Sequence, residues 1–295
     1  MRRRPGSLLL LAALVLPACE RGAVPDPPDP QPAGQPVAPS DPAPVDSAAP
    51  PGATPLELAL RAVEAAPHAP RGWLALARAR EDARDPDGAE AALDRALALD
   101  PQLALAWSRR ALLRGQRGDL RGGIADAERA RELEPQLAEV HRALGGLRLM
   151  ERRLDEALME LSTAIDLDPT QADTYVGRGW VHLERRSLEA ALADTLRALE
   201  LQPDNANAWA NLGVIRVRLQ DPKGALQAYD RAVELDPQNP MVWVSRGSAR
   251  QARGDLRGAA GDYARGCVLM APGDPRLRAF QDSLQQALNR LAEGR

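Results

Sequence analysis

The chain of 295 residues carries 38 basic and 41 acidic side chains, a formal charge of −3 at pH 7, and is 44% hydrophobic, 27% charged and 3% aromatic. An acidic balance of this kind lacks the positive footprint that nucleic-acid binding needs, so nucleic acid is excluded as a partner. Two cysteines cannot build a disulfide framework for so long a chain.

Met1 to Ala18 has the layout of an export signal: Arg2, Arg3 and Arg4, then an apolar run from Leu8 to Leu16 that is too short to span a bilayer. Leu16-Pro17-Ala18-Cys19 resembles the lipobox of bacterial lipoproteins. That resemblance implies cleavage before Cys19, diacylglycerol on its thiol and acylation of its amine. Two or three acyl chains anchor a protein stably where a single chain does not. Glu20, in place of Asp after the cysteine, favours the outer membrane on the same resemblance, with the protein facing the periplasm. The other reading is an ordinary secretory signal cut after Ala18, although Leu16 is large where such a site wants a small residue. Removing residues 1–18 takes three arginines with it and leaves 35 basic against 41 acidic residues.

Residues 19–55 change composition sharply. Twelve of the 26 prolines fall between Arg21 and Pro55, among Ala, Gly, Ser and Asp. Such a segment cannot bury a core and is expected to form a disordered tether of polyproline II character. Its full extension would be on the order of 100 Å.

From residue 56 the chain is helical in pattern to residue 291. Residues 56–69 read as the second helix of a unit whose first helix is missing. Then come six prolines, Pro101, Pro135, Pro169, Pro203, Pro237 and Pro272, at a spacing of 34 residues, the last one residue late. They divide the chain into units 70–103, 104–137, 138–171, 172–205, 206–239 and 240–273. Fourth in each unit stands a bulky ring: Trp73, Trp107, His141, Tyr175, Trp209 and Trp243. Positions eight, twenty and twenty-seven are Ala or Gly throughout, small enough for helix backbones to approach closely. Residues 275–291, with Leu277, Phe280, Leu284, Leu288 and Leu291 at helical spacing, read as a cap that covers the last apolar face.

Trp209-Ala-Asn-Leu212-Gly213, followed by Ala225, Tyr229, Ala232 and Pro237, resembles the tetratricopeptide repeat, a helix–turn–helix unit of the same length. The resemblance implies an all-α, right-handed superhelix of six repeats with an N-terminal half repeat and a C-terminal cap. One departure recurs: position eleven, usually Tyr in the family, holds Arg80, Arg114, Arg148, His182, Arg216 and Arg250. Their stems are expected to pack between helices while their charged heads find Asp126, Glu160, Asp194 or Asp262.

No pattern of catalytic residues emerges. His68, His141 and His182 lie far apart, the last two on framework positions, and neither P-loop, H-E-x-x-H nor G-x-S-x-G spacing occurs. Cys267 occupies a position that other units fill with Leu, Ile or Val. No enzymatic activity, cofactor, metal or small-molecule substrate is therefore expected.

In the resembled family the first helices line a concave groove that receives an extended peptide or a partner helix, chiefly through positions two, five, nine, twelve and thirteen. Carried onto this chain, those positions include Leu112, Arg142, Leu149 and Met150, then Val176, Trp180 and Leu183, and finally Val214, Val217 and Val244; Asn211 at position six joins them. Two readings stand side by side. The band is a partner surface anchored by Trp180, or its side chains mainly pack on neighbouring first helices. The functional expectation is a lipid-anchored scaffold, attached at Cys19, that binds a protein partner and assembles or localises an envelope complex. In outline it is similar to pilotin-like repeat lipoproteins. A soluble periplasmic chaperone or a regulatory subunit of an envelope enzyme is the alternative.

Overall fold

The computed structural model describes residues 53–271 and 273–293. The expected signal peptide, Cys19, nearly all of the tether and Pro272 lie outside them. The described residues form α1 (Pro55–Ala65), followed by the pairs α2 (Pro70–Asp82) and α3 (Pro86–Leu99), α4 (Ala104–Gln116) and α5 (Leu120–Leu133), α6 (Ala138–Met150) and α7 (Leu154–Leu167). Then come α8 (Ala172–Glu184) and α9 (Leu188–Leu201), α10 (Ala206–Arg218) and α11 (Pro222–Leu235), α12 (Pro240–Ala252) and α13 (Leu256–Leu269), and α14 (Leu277–Ala292). Thr54 and Pro55, at the end of the proline-rich segment, cap and open α1. The Thr54 hydroxyl accepts from the Glu57 amide, and the Glu57 carboxylate accepts from the Thr54 amide.

Why each unit folds as a hairpin can be read position by position. Every first helix ends on a left-handed residue fifteenth in its unit: Arg84, Gly118, Arg152, Arg186, Gln220 and Gly254, with φ between 58° and 91°. The next amide then reaches back to the carbonyl of position eleven, as Asp119 does to Arg114 at 2.9 Å and Asp221 to Arg216 at 2.8 Å. That is the Schellman closure of a helix end. Glycine supplies this conformation at Gly118 and Gly254, while the other four turns achieve it with a side chain present. The residue that terminates the first helix also starts the second. Asp85, Asp119, Asp221 and Asp255 each accept from the amide of a glycine three residues on.

Within units, large and small residues interlock. A Cβ on Gly213 would stand 2.4 Å from Tyr229, and one on Gly145 2.5 Å from Leu161, so both sites are filled from the opposite helix. Successive first helices α4, α6, α8, α10 and α12 touch one another in turn, while successive second helices do not meet beyond grazing contact. The stack therefore curves with first helices inside and second helices outside, as a right-handed superhelix. Its curvature brings the turn after α2 against the end of α11, where Arg84 meets Asp236 at 2.6 Å across 152 residues of sequence. At the C-terminal end α14 seals α13: Phe280 and Ala287 are fully buried, together with Tyr263 and Met241. Cys267 packs half-buried in that cluster as a free thiol, its pKa pushed up by burial.

Candidate functional site

The ring at position four ties each unit to the turn before it. Trp73, Trp107, Trp209 and Trp243 each donate Nε1–H to the carbonyl of the proline six residues earlier, all at 2.9 Å. Tyr175 donates its hydroxyl to Pro169 O at 3.3 Å, and His141 Nε2 lies 2.9 Å from Pro135 O. His141 Nδ1 also lies 2.7 Å from Glu160.

The carboxylates at position twenty-three meet the position-eleven side chains as expected in three units, and have further partners that were not expected. Arg110, seventh in its unit, grips Asp126 through Nε and Nη2 at 2.8 and 2.9 Å and reaches Asp94 of the preceding unit at 2.7 Å. Arg246 repeats this with Asp262 and Asp230, and Arg178 with Asp194 and the Ser162 hydroxyl. Each guanidinium also lies over the ring at position four, 4.6 to 5.8 Å from its centroid. Odd units place Leu76, Leu144 and Leu212 at position seven. The 34-residue unit thus carries a 68-residue alternation. The position-eleven series is secondary: Arg114 and Arg250 share Asp126 and Asp262 at 2.9 Å, and His182 stands 3.8 Å from Asp194. Burial holds His182 below the usual histidine range. Glu160 belongs to His141 rather than to Arg148, which turns to Glu128, Glu151 and Glu156. Arg80 and Arg216 donate instead to the Gly88 and Gly224 carbonyls.

The inner band is mostly interior. Trp180 is 2% exposed, packed in one cluster with Leu149, Leu183 and Val214. Its indole N–H is the buried side-chain donor without a partner among the described residues. Val176, Asn211 and Val244 are buried as well; Asn211 donates to Val176 O at 3.3 Å, fastening α10 to α8. Of the band, Leu112, Arg142 and Met150 are partly open and Val217 is exposed. The anchor assigned to Trp180 is therefore covered by the stack, because position nine meets the neighbouring first helix before it meets solvent. What remains open is amphipathic. Glu81 on α2 accepts from Arg109 on α4 at 2.9 Å, with Arg78 and Arg142 also on this set of helices. Burial raises the Glu81 pKa, an effect that Arg109 and Arg142 oppose. Arg78 and Glu81 stand at positions nine and twelve of the first unit, but the sequence gives no sign that Arg109 pairs with Glu81.

Models of the tetratricopeptide repeat match residues 108–172 and 176–240, and a further one matches 70–113. The chain belongs to the tetratricopeptide-repeat family. Members of this family are typically non-catalytic protein-interaction scaffolds, and this chain has that fold. Among solved structures it is similar to the crystal structure of the APC/C hetero-tetramer Cut9–Hcn1, with a TM-score of 0.67 and 19% identity, over 79% of this chain and 46% of that one. It therefore spans less than half of the chain it matches there, and the likeness concerns fold. The crystal structure of MamA aligns with a TM-score of 0.44 and 21% identity over 54% of this chain and 93% of that one. No curated protein matches the sequence. None of the described helices is long and apolar enough to cross a membrane.

Proposed function

We propose that this protein is a lipid-anchored scaffold of the bacterial envelope that holds a segment of a partner protein against its inner face. The observation that supports the binding role is the partly open amphipathic strip formed by Arg78, Arg109, Leu112, Arg142 and Met150 on three successive first helices, with the Glu81 carboxylate nearly buried against Arg109. An apolar step flanked by fixed charges of both signs fits a polypeptide better than a small molecule. The anchoring role rests on Leu16-Pro17-Ala18-Cys19, and the proline-rich segment 19–55 would let the superhelix work away from the membrane surface.

The two halves of the reading are tested separately. Cys19→Ser is expected to move the protein from the membrane to the soluble fraction and to abolish incorporation of labelled palmitate; wild-type protein without label contradicts the anchor. Arg142→Glu with Met150→Asp is expected to reduce co-purification of the partner about tenfold, with the melting curve retained as a control for folding.

A further inference from the structure

The 68-residue alternation has an edge component that breaks at its third occurrence. The turn that ends each even first helix places an arginine at position fourteen. Arg117 pairs with Asp87 and Glu90 of the preceding unit, and Arg185 pairs with Asp155. Asp87 and Asp155 both hold position eighteen. The third pair in this register is Arg253 with Lys223, the single lysine of the sequence. At the two positions where an ion pair fastens two successive pairs of units, the third edge carries two cations. Both are exposed, and neither side chain makes an ion pair or hydrogen bond among the described residues.

Around them the surface is basic and apolar. Arg218 and Arg257 are exposed nearby in sequence, and Val217 and Leu219 are 47% and 45% exposed. The neighbouring carboxylates offset only part of this charge: Asp221 and Asp255, which accept from the Gly224 and Gly258 amides at the starts of α11 and α13, stand against Arg218, Lys223, Arg253 and Arg257. The cost of placing like charges together, and of leaving two large aliphatic side chains in water beside them, would be relieved by a ligand that is anionic and partly apolar.

We propose that this edge, at the turns α10–α11 and α12–α13, docks an acidic protein segment in which carboxylates alternate with apolar side chains. Lys223 and Arg253 would take two carboxylates one repeat apart, and Val217 and Leu219 the apolar residue between. A membrane surface fits less well, because attachment by charge draws on clusters of four to eight basic residues, and here two aspartates stand among four. The site is separate from the inner strip, and its test uses neither Arg142 nor Met150.

The probe is a fluorescein-labelled peptide of alternating glutamate and leucine, titrated with the full chain and followed by anisotropy. Binding is expected at low salt and should weaken severalfold at about 300 mM salt. Lys223→Asp rebuilds the pair present at the other two edges; it should weaken binding at least tenfold while leaving the melting temperature equal or higher, which separates lost binding from lost folding. Arg253→Asp should weaken binding to the same extent. Absence of peptide binding overturns the proposal, as does undiminished binding by Lys223→Asp. Equal competition by inorganic phosphate, or binding to phosphatidylglycerol vesicles without binding to peptide, also overturns it.

Discussion

The indole Nε1 of Trp209 donates to the backbone carbonyl of Pro203 at 2.9 Å, so the two residues that punctuate the sequence of this protein are bonded to each other. Proline ends one second helix and leaves its carbonyl free, and the ring that opens the next unit takes it. The same pairing holds from Trp73 to Trp243, with His141 and Tyr175 as polar-ring equivalents. The donor therefore matters beyond the ring's bulk. Trp209→Phe is expected to destabilise the protein by about 1 kcal/mol more than Trp209→Tyr in urea denaturation, the worth of one hydrogen bond.

The alternation between Arg and Leu at position seven makes a sharper prediction. Asp126 is 4% exposed and serves both Arg110 and Arg114. Asp126→Ala removes the bidentate partner of the partly buried Arg110 guanidinium and leaves it only Asp94, so it is expected to cost about 2–3 kcal/mol. Arg110→Leu with Asp126→Ala copies the Leu76 and Ala92 arrangement of the first unit, in which both residues are buried. The double variant should recover most of that loss, as read by chemical denaturation of all three proteins.

The left-handed turns carry removable strain. Gln220 adopts φ 59° and Arg186 φ 63°, where a Cβ costs roughly 1 kcal/mol. Gln220→Gly and Arg186→Gly should each raise the melting temperature, with a gain of up to about 1 kcal/mol reduced by the added freedom of glycine in the unfolded chain. Gly118→Ala should lower it, since Gly118 already sits at φ 91°.

Glu81 sets a pH dependence at the inner face. Burial raises its pKa, against the pull of Arg109 and Arg142. A carboxyl raised in the folded state contributes stability below its unfolded pKa and loses that contribution as pH rises through the folded value. The stability of Glu81→Gln relative to wild type should therefore be more favourable at pH 7 than at pH 4, measured by denaturation at both.

The period, the helices and the tight crossings were legible because Pro at the ends of second helices and small residues such as Gly213 and Ala225 have one structural use each. The partners of Asp126, Asp194 and Asp262 were legible in part: Arg114, His182 and Arg250 reach them as expected, but nothing pointed to Arg110, Arg178 and Arg246. A comparison of units at 34 residues hides an alternation at 68, and the arginine that wins is the one whose stem already lies over the ring at position four. For Trp180 the sequence left two readings open for a different reason. Helical periodicity fixes which way position nine points, but the neighbouring first helix decides whether anything there is left open, and Leu149, Leu183 and Val214 close over it.

The central claim is that the inner strip, and not the face of the second helices, meets the partner protein of the proposed scaffold. It is tested most directly by placing a photocrosslinking amino acid at Met150, on the partly open inner strip, and at Met159, which is 60% exposed on α7, in the native cell. Irradiation is expected to trap one discrete protein adduct from position 150 and none from position 159. Adducts of equal yield from both positions, or an adduct from position 159 alone, would contradict the account.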